Sequence, residues 1–520
     1  MQILENKYLV LRTRKPERVL TKDVGAKVLC TKDDIYTIRC NWVAQNSVIL
    51  TDAGVTNVPS PIIRDYTWKG AFAPMRHQID TASFLSARRR AFCFNEQGTG
   101  KTASAIWASD YLMTEGIIRR VLIVCPLSII QAAWEHDLFQ FATHRTVGIA
   151  HGNREKRKAV INSDAEYVVI NYEGVDIVAD DIAKNNFDLI IIDEANAYKT
   201  TNTKRWKTMN KLITTQKFVW MMTGTPAAQT PFDAYGLAKL CVPSRVPQFA
   251  GRFKESVMVN VGRFKWIARP EASNIVHKVL QPAIRFRKEE CLDLPEITYT
   301  DRYAPLTPQQ TSYYKRIRED FLVQLSSGEE ISAANAAVNL NKLLQVSSGA
   351  AYSNSGAVVR FDVSNRLNVV KEVIAEASNK VLIFVPFKHA IELLKENLDK
   401  AKIPCAIISG EVSMNKRTEI FSRFQNKPDT DLKVLIIQPA AAAHGITLTA
   451  ANVVVWYAPV TSIETYLQAN ARIVRKGQRN PMTVVHIRGS RVEERLYKML
   501  QNRLDEHTKL IDLYRDELTL

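Results

Sequence analysis

Residues 91–102, AFCFNEQGTGKT, constrain this chain more than any other stretch. Positions 91–94 read as a short buried strand, 95–100 as a tight polar turn, and Lys101 and Thr102 as the start of a helix continuing ASAIWASDYL. A strand that enters a helix through a glycine turn builds an anion site by geometry. The free N–H groups of the turn converge on one spot, and the helix dipole makes that spot positive. Gly98, Thr99 and Gly100 would let the backbone cradle phosphates, Lys101 would reach the terminal ones, and the Thr102 hydroxyl would ligate magnesium. The strict phosphate-loop pattern has Gly where this chain has Asn95, and a plain glycine turn is the simpler alternative.

A chain of 520 residues exceeds one core and implies two to four domains. No uninterrupted apolar stretch reaches membrane-helix length, and the opening MQILENKYLVLRTRKPER lacks a signal-peptide block. The seven cysteines scatter without a CxxC pair, which indicates neither a disulfide framework nor a zinc site. A reducing, cytoplasmic setting without membrane contact is expected. The net charge of +17 favours an anionic polymer as partner. A basic protein without such a partner is the alternative.

Residues 1–60 alternate polar and apolar in the runs KYLVLR, AKVLCT, IYTIRC and SVILTD, which predicts a small antiparallel β module. Its cations Lys7, Arg12, Arg14, Lys15 and Arg18 suit either a DNA contact or a solvated docking face. From Pro74 strands alternate with helices, the pattern of a parallel sheet. Gln78 precedes the phosphate-loop strand, and its amide both donates and accepts, as reading adenine requires. VLIVCPLSII ends a strand at Pro126 and Ser128, and YVVINYEG ends one at Asn171, at the edge where open α/β sheets bind ligands.

FDLIIIDEANAY delivers Asp193 and Glu194 to a strand end. Asp193 would hold magnesium, and Glu194 would orient or deprotonate an attacking water. FVWMMTGTP ends in Thr223 and Thr225, whose hydroxyls would sense the acid pair or a γ-phosphate. Residues 231–300 read as a helical insertion with a basic face that includes Arg252, Lys254, Arg285, Arg287 and Lys288.

A helix with a capping box at Thr307 and Gln310 opens a second insertion over about 305–350, and SSGAAYSNSGA reads as a flexible loop. A second α/β unit follows. TSIETYLQANARIVRKGQ (461–478) is predicted to be one helix that places Gln468, Arg472 and Arg475 on a single face. Two guanidinium groups at such spacing suit phosphate oxygens in a transition state. The tail from 491 reads as an amphipathic helix packed on this unit. The predicted domains are 1–70, 71–300 and 301–520.

Taken in order, Gln78, NEQGTGKT, VCPLS, DEAN, TGTP, KVLIF, HGITLTAA and QANARIVRKGQ resemble the motifs of superfamily-two helicases. The ending QxxxRxxRxGQ, with Trp134-Glu135, HGNREKR, NYE and DLPE, is similar to the Swi/Snf branch, in its compact bacterial and phage forms. The resemblance spans about residues 72–500. It implies two RecA-like lobes, parallel sheets flanked by helices, with ATP in the cleft between them. Gln468, Arg472 and Arg475 would then close from the second lobe, the two arginines as fingers. Asn196, Thr223 and Thr225 would couple hydrolysis to movement. Pro126, Ser128, Asn171, Thr447 and Thr449 lie where that family touches the DNA backbone. Asn196 stands where His is usual, and Pro439 with Ala440–Ala443 replaces a glycine-rich stretch.

The expected function is that of a monomeric, DNA-dependent ATPase that uses ATP and Mg2+ to remodel duplex or branched DNA. Displacement of proteins from duplex is the alternative output. A non-catalytic DNA-binding scaffold with a relic nucleotide site is the alternative of another class. Protein partners are not indicated.

Overall fold

The computed structural model describes the chain except residues 71, 215–216, 228, 263–264, 292–294, 327–332, 353–357, 443–447, 475–477 and 503–520. Two compact units divide it, Met1–Cys291 and Leu292–Glu506.

The first unit opens with strands β1 (Gln2–Leu4), β2 (Tyr8–Thr13), β3 (Lys27–Lys32) and β4 (Ile35–Asn41). They form an antiparallel sheet in the order β1-β2-β4-β3, as the alternation predicts. Leu9, Leu11, Ile38 and Cys40 fill its inner face. SVILTD is not a strand, however, but part of the helix Ala44–Asp52. Leu50 packs into the sheet's core while Val48 packs into the larger core beyond it. A helix buried on two sides shows apolar residues at spacing two without being a strand, which is how the period misled.

A seven-stranded sheet follows. Its members are β5 (Arg90–Cys93), β6 (Val121–Cys125), β7 (Val147–Ala150), β8 (Tyr167–Asn171), β9 (Leu189–Asp193) and β10 (Phe218–Met222). After a hairpin of β11 (Met258–Gly262) and β12 (Lys265–Ala268), the last strand is β13 (Ala283–Ile284). The order is β13-β5-β10-β9-β6-β8-β7, parallel throughout. Alternate residues feed two cores: Phe92, Leu122 and Ile190 on one face, Ala91, Ile123 and Ile191 on the other. Burial on both faces explains the unbroken apolar runs.

Residues 231–300 are not purely helical. They hold helices Ala234–Cys241, Ala250–Val257 and Ala272–Val279, but also the hairpin and β13, which extends the main sheet. Nor is the predicted basic face intact, because Arg285 and Lys288 are buried.

The second unit carries β14 (Ile297–Tyr303), a small hairpin of β15 (Ala350–Tyr352) and β16 (Val358–Arg360), and then β17 (Lys380–Phe384), β18 (Cys405–Ile408), β19 (Val434–Ile437), β20 (Ala451–Trp456) and β21 (Met482–Arg488). Its main sheet runs β14-β21-β20-β17-β19-β18, again all parallel. The predicted capping box is present: the Thr307 N–H donates to Gln310 Oε1 (3.0 Å) at the start of helix Pro308–Ser326.

Residues 347–352 are ordered structure rather than loop. Gly349 adopts φ +108 at the end of helix Ala333–Ser348, where a Cβ would lie 2.6 Å from Val363 Cγ1, and the chain turns into β15. The tail forms a helix over 491–502 that buries Leu496, Tyr497 and Leu500, as expected. Its Glu493 makes a 2.6 Å ion pair with Arg366.

Candidate functional site

The site is built on three neighbouring strand ends of the first unit. Strands β5, β10 and β9 adjoin in that order, so the turn after each opens at one carboxyl edge within about 10 Å, given strand spacing near 4.8 Å. After β5, Gly98 (φ +88) and Gly100 (φ +82) take left-handed conformations that a side chain resists, and helix Lys101–Thr114 starts directly behind them. At Gly100 a Cβ would lie 2.1 Å from Gln78 Nε2, so only glycine fits beneath that amide.

Gln78 is buried, with Nε2 donating to Thr99 O (3.3 Å) and Oε1 accepting from the Met75 N–H (2.9 Å). The candidate adenine reader thus also fastens helix Arg76–Ser86 to the loop. Asn95, the departure from the strict pattern, has a structural reason. Its amide donates to Thr81 Oγ1 (2.8 Å) and accepts from the Phe286 N–H (3.0 Å), so three segments meet there.

Lys101 Nζ donates to the Asn95 and Glu96 carbonyls (2.9 and 3.3 Å). Asp193, at the end of β9, is 7% exposed, and burial raises its pKa while the Lys101 charge opposes the rise. Each carboxylate oxygen has a donor: Oδ2 takes the Trp134 indole N–H (2.9 Å) and Oδ1 takes the Glu194 N–H (2.9 Å). Glu194 sits at φ +47, a conformation rare for a residue with a Cβ, and its Oε1 accepts from Gln97 Nε2 (3.3 Å). The Tyr172 hydroxyl donates to the Asp193 and Glu194 carbonyls (2.6 and 3.1 Å), which pins this turn from the β8 side.

The turn after β10 joins the same edge. Asn196 Nδ2 donates to Thr225 O (2.9 Å) and Thr225 Oγ1 (3.0 Å), and the Thr225 N–H donates to Thr223 Oγ1 (3.3 Å). The acid-pair turn and the threonine turn are therefore hydrogen-bonded directly, with Asn taking the bridging place.

Two residues of this site carry no sequence signal of their role. Arg285, counted among surface cations, donates to the Phe94 carbonyl, to Gly224 O (3.0 Å) and to Glu96 Oε1 (3.1 Å), tying the phosphate loop to the threonine turn. Trp134 is fully buried in a π-helical turn over Ile130–Glu135, and its role shows only as a polar N–H on a buried ring that needs an acceptor.

Of the other predicted residues in the first unit, Pro126 and Ser128 follow β6 and Asn171 ends β8, the next strands along the same carboxyl edge. Pro126 caps the short turn Leu127–Ile129 that contains Ser128. Asn171 is buried, with Oδ1 accepting from Arg157 (2.8 Å) and Nδ2 donating to Glu173 (2.8 Å). In the second unit Thr449 Oγ1 accepts from Gln425 Nε2 (2.9 Å). Thr447 and Arg475 lie outside the described residues.

The predicted helix over 461–478 ends at Asn470, so Gln468 and Arg472 do not share a helical face. Tertiary partners end it: the Arg472 carbonyl accepts from the Leu448 N–H (3.0 Å), and Gln478 Nε2 reaches Ala451 O (2.8 Å) and Thr449 O (3.3 Å). Arg472 is 2% exposed and Gln468 is 7% exposed.

Among the described residues no helix is long and apolar enough to cross a membrane. Residues 77–348 match the SNF2-related domain, and residues 365–477 match the helicase conserved C-terminal domain. An uncharacterized ATP-dependent helicase of Mycoplasma genitalium is 26% identical over 425 residues, 80% of this chain and 39% of that protein. A Caenorhabditis elegans homologue of SWI/SNF-related matrix-associated actin-dependent regulator of chromatin subfamily A-like protein 1 is 26% identical over 433 residues, 80% of this chain and 58% of that one. The chain thus spans about two fifths to three fifths of the length of these relatives. Of solved structures, the Sulfolobus solfataricus SWI2/SNF2 ATPase core in complex with dsDNA is 23% identical, with 84% of this chain and 92% of that chain covered and a TM-score of 0.41.

Proposed function

The chain belongs to the SNF2-related family, and from that premise we propose that it is a DNA-dependent ATPase that translocates on DNA and remodels duplex or branched DNA in replication, recombination or repair. It would act in the cytoplasm of a bacterial or phage-infected cell, as a monomer. The observation that carries this reading is the acid pair Asp193–Glu194 beside Lys101, on one sheet edge with a glycine loop and a bonded threonine turn.

In this proposal the turn 98–100 and Lys101 hold the phosphates of ATP, and Gln78 meets the adenine. Glu194, held by Gln97, orients the attacking water or takes its proton. The donor set fits magnesium: the Thr102 hydroxyl and the Asp193 carboxylate are hard oxygen ligands, and Mg2+ ordinarily takes one or two carboxylates with substrate phosphates. A magnesium ion held there would supply charge neutralisation to the phosphates. Asn196 relays the change at the acid pair to Thr225 and Thr223. Gln468, Arg472 and Arg475 complete turnover from the second unit, the arginines by stabilising transferred charge. Pro126, Ser128, Asn171, Thr447 and Thr449 contact the DNA backbone, which carries no sequence information and so suits a motor.

The test is the ATPase rate without DNA and with single-stranded, duplex, forked and four-way DNA. Stimulation by duplex or branched DNA, lost in Lys101→Ala, is expected. A rate indifferent to every DNA overturns the proposal.

A further inference from the structure

The outer face of the N-terminal sheet carries a charge pattern that the ATPase does not use. Register places Arg12 on β2, Arg39 on β4, and Lys27 and Lys32 on β3 on the side opposite the buried Leu9, Leu11, Ile38 and Cys40. Lys27 stands directly across from Arg39. Like charges in that position destabilise a sheet. Among the described residues, no carboxylate forms an ion pair with any of the four cations. The Arg39 guanidinium instead lies over the Tyr8 ring, 4.6 Å from its centroid.

Lysines on an exposed edge strand have a plain use, blocking strand-to-strand aggregation. That covers Lys27 and Lys32 on the edge strand β3, but not Arg12 and Arg39, whose strands β2 and β4 lie inside the sheet. Uncompensated cations across three adjacent strands make a positive face that suits the phosphates of a nucleic-acid backbone.

We propose that this sheet face is a second grip on the phosphate backbone of duplex DNA, separate from the backbone contacts assigned to the two α/β units. It rests on the DNA reading above. A grip on this antiparallel sheet, in addition to those on the parallel sheets, would keep the protein on its track while the other contacts exchange, and it would act without sequence preference.

The test is the salt dependence of binding to a short labelled duplex, read by fluorescence anisotropy on the full chain. Each lost phosphate contact makes the slope of log K against log salt shallower by about 0.9. The variant Arg12→Gln/Lys27→Gln/Arg39→Gln should therefore lose about 2.7 from the slope and bind at least about tenfold more weakly at 0.1 M salt. Lys27→Gln alone, on an edge strand where it disturbs no packing, should lose about 0.9. Lys204→Gln/Lys207→Gln/Lys211→Gln removes the same charge from the helix Lys204–Leu212 and should keep the wild-type slope. Unchanged binding by the sheet variants overturns the inference while leaving the ATPase reading intact. An equal loss in the Lys204 series also overturns it, because bulk charge then explains the effect. A wild-type chain that ignores duplex DNA overturns both.

Discussion

The Trp134 indole N–H donates to Asp193 Oδ2 at 2.9 Å, joining a π-helical turn that follows β6 to the acid at the end of β9. Charge-assisted bonds of this kind are worth about 1.5–3 kcal/mol. Trp134→Phe keeps the buried ring and removes the donor. It should lower unfolding free energy by about that amount and raise the Mg2+ concentration at half-maximal ATPase rate, because Asp193 is then held only by the Glu194 N–H. A double-mutant cycle with Asp193→Asn, read by denaturant unfolding, should give a coupling of about 1 kcal/mol or more. Additive effects would show that the bond has no energetic consequence.

Asn196 bridges the acid-pair turn to Thr225 through two hydrogen bonds. Asn196→Ala should leave ATP affinity within about threefold and reduce the ratio of DNA-stimulated to basal turnover about tenfold or more, about 1.4 kcal/mol of lost coupling. Equal loss in basal and stimulated rates would assign Asn196 to chemistry rather than coupling.

Arg285 holds the phosphate loop to the threonine turn from a strand added after the insertion. Arg285→Ala leaves Glu96 without its guanidinium and opens a buried gap. A loss of about 1–3 kcal/mol in stability is expected, the cost of leaving the Phe94 and Gly224 carbonyls without their donor while Glu96 stays partly exposed, together with a raised KM for ATP. Arg285→Lys keeps the charge but lacks the fork that spans several acceptors, so it should restore only part of each.

Arg472 and Arg475 are proposed to act on the transferred phosphate. Replacing either with Ala should keep nucleotide binding and reduce turnover by about 10³–10⁵, the range for arginine fingers. Binding of a labelled ATP analogue alongside steady-state ATPase separates the two effects. Turnover surviving in Arg475→Ala would remove it from the catalytic set.

Asp110 is fully buried on helix Lys101–Thr114. Burial alone would raise its pKa, but hydrogen bonds from the Tyr66 hydroxyl (2.6 Å) and Arg145 Nε (2.6 Å), with the Arg145 and His144 charges, leave it below the ordinary value of 3.8. A depressed carboxyl contributes stability above its unfolded value and loses it as pH falls through the folded one. Asp110→Asn should cost about 3 kcal/mol at pH 7, and the gap to wild type should narrow below about pH 4. Denaturant unfolding at both pH values measures it. A pH-independent gap would make the effect one of packing.

Local chemistry fixed much of this protein in its sequence. Unbroken apolar runs marked parallel strands buried on both faces, and the glycines at 98 and 100 marked a tight strand-to-helix turn, because φ/ψ limits act within a few residues. The Thr307–Gln310 capping box was legible for the same reason. Where the sequence misled, partners distant along the chain had overridden local preference. Val48 and Leu50 mimic a strand because one helix is buried in two cores. The helix from Ile463 stops at Asn470, where the Leu448 N–H takes the Arg472 carbonyl that a further turn would have used. Arg285 gave no warning and Trp134 stood out only through the family resemblance, since a charge or an indole reveals its purpose only when the fold delivers its acceptor, 191 residues away for Phe94 O and 59 for Asp193. Composition and spacing settled which groups were available. Only the tertiary structure decided which of them meet, because burial makes an unpartnered polar group too costly to leave and the fold alone chooses its partner.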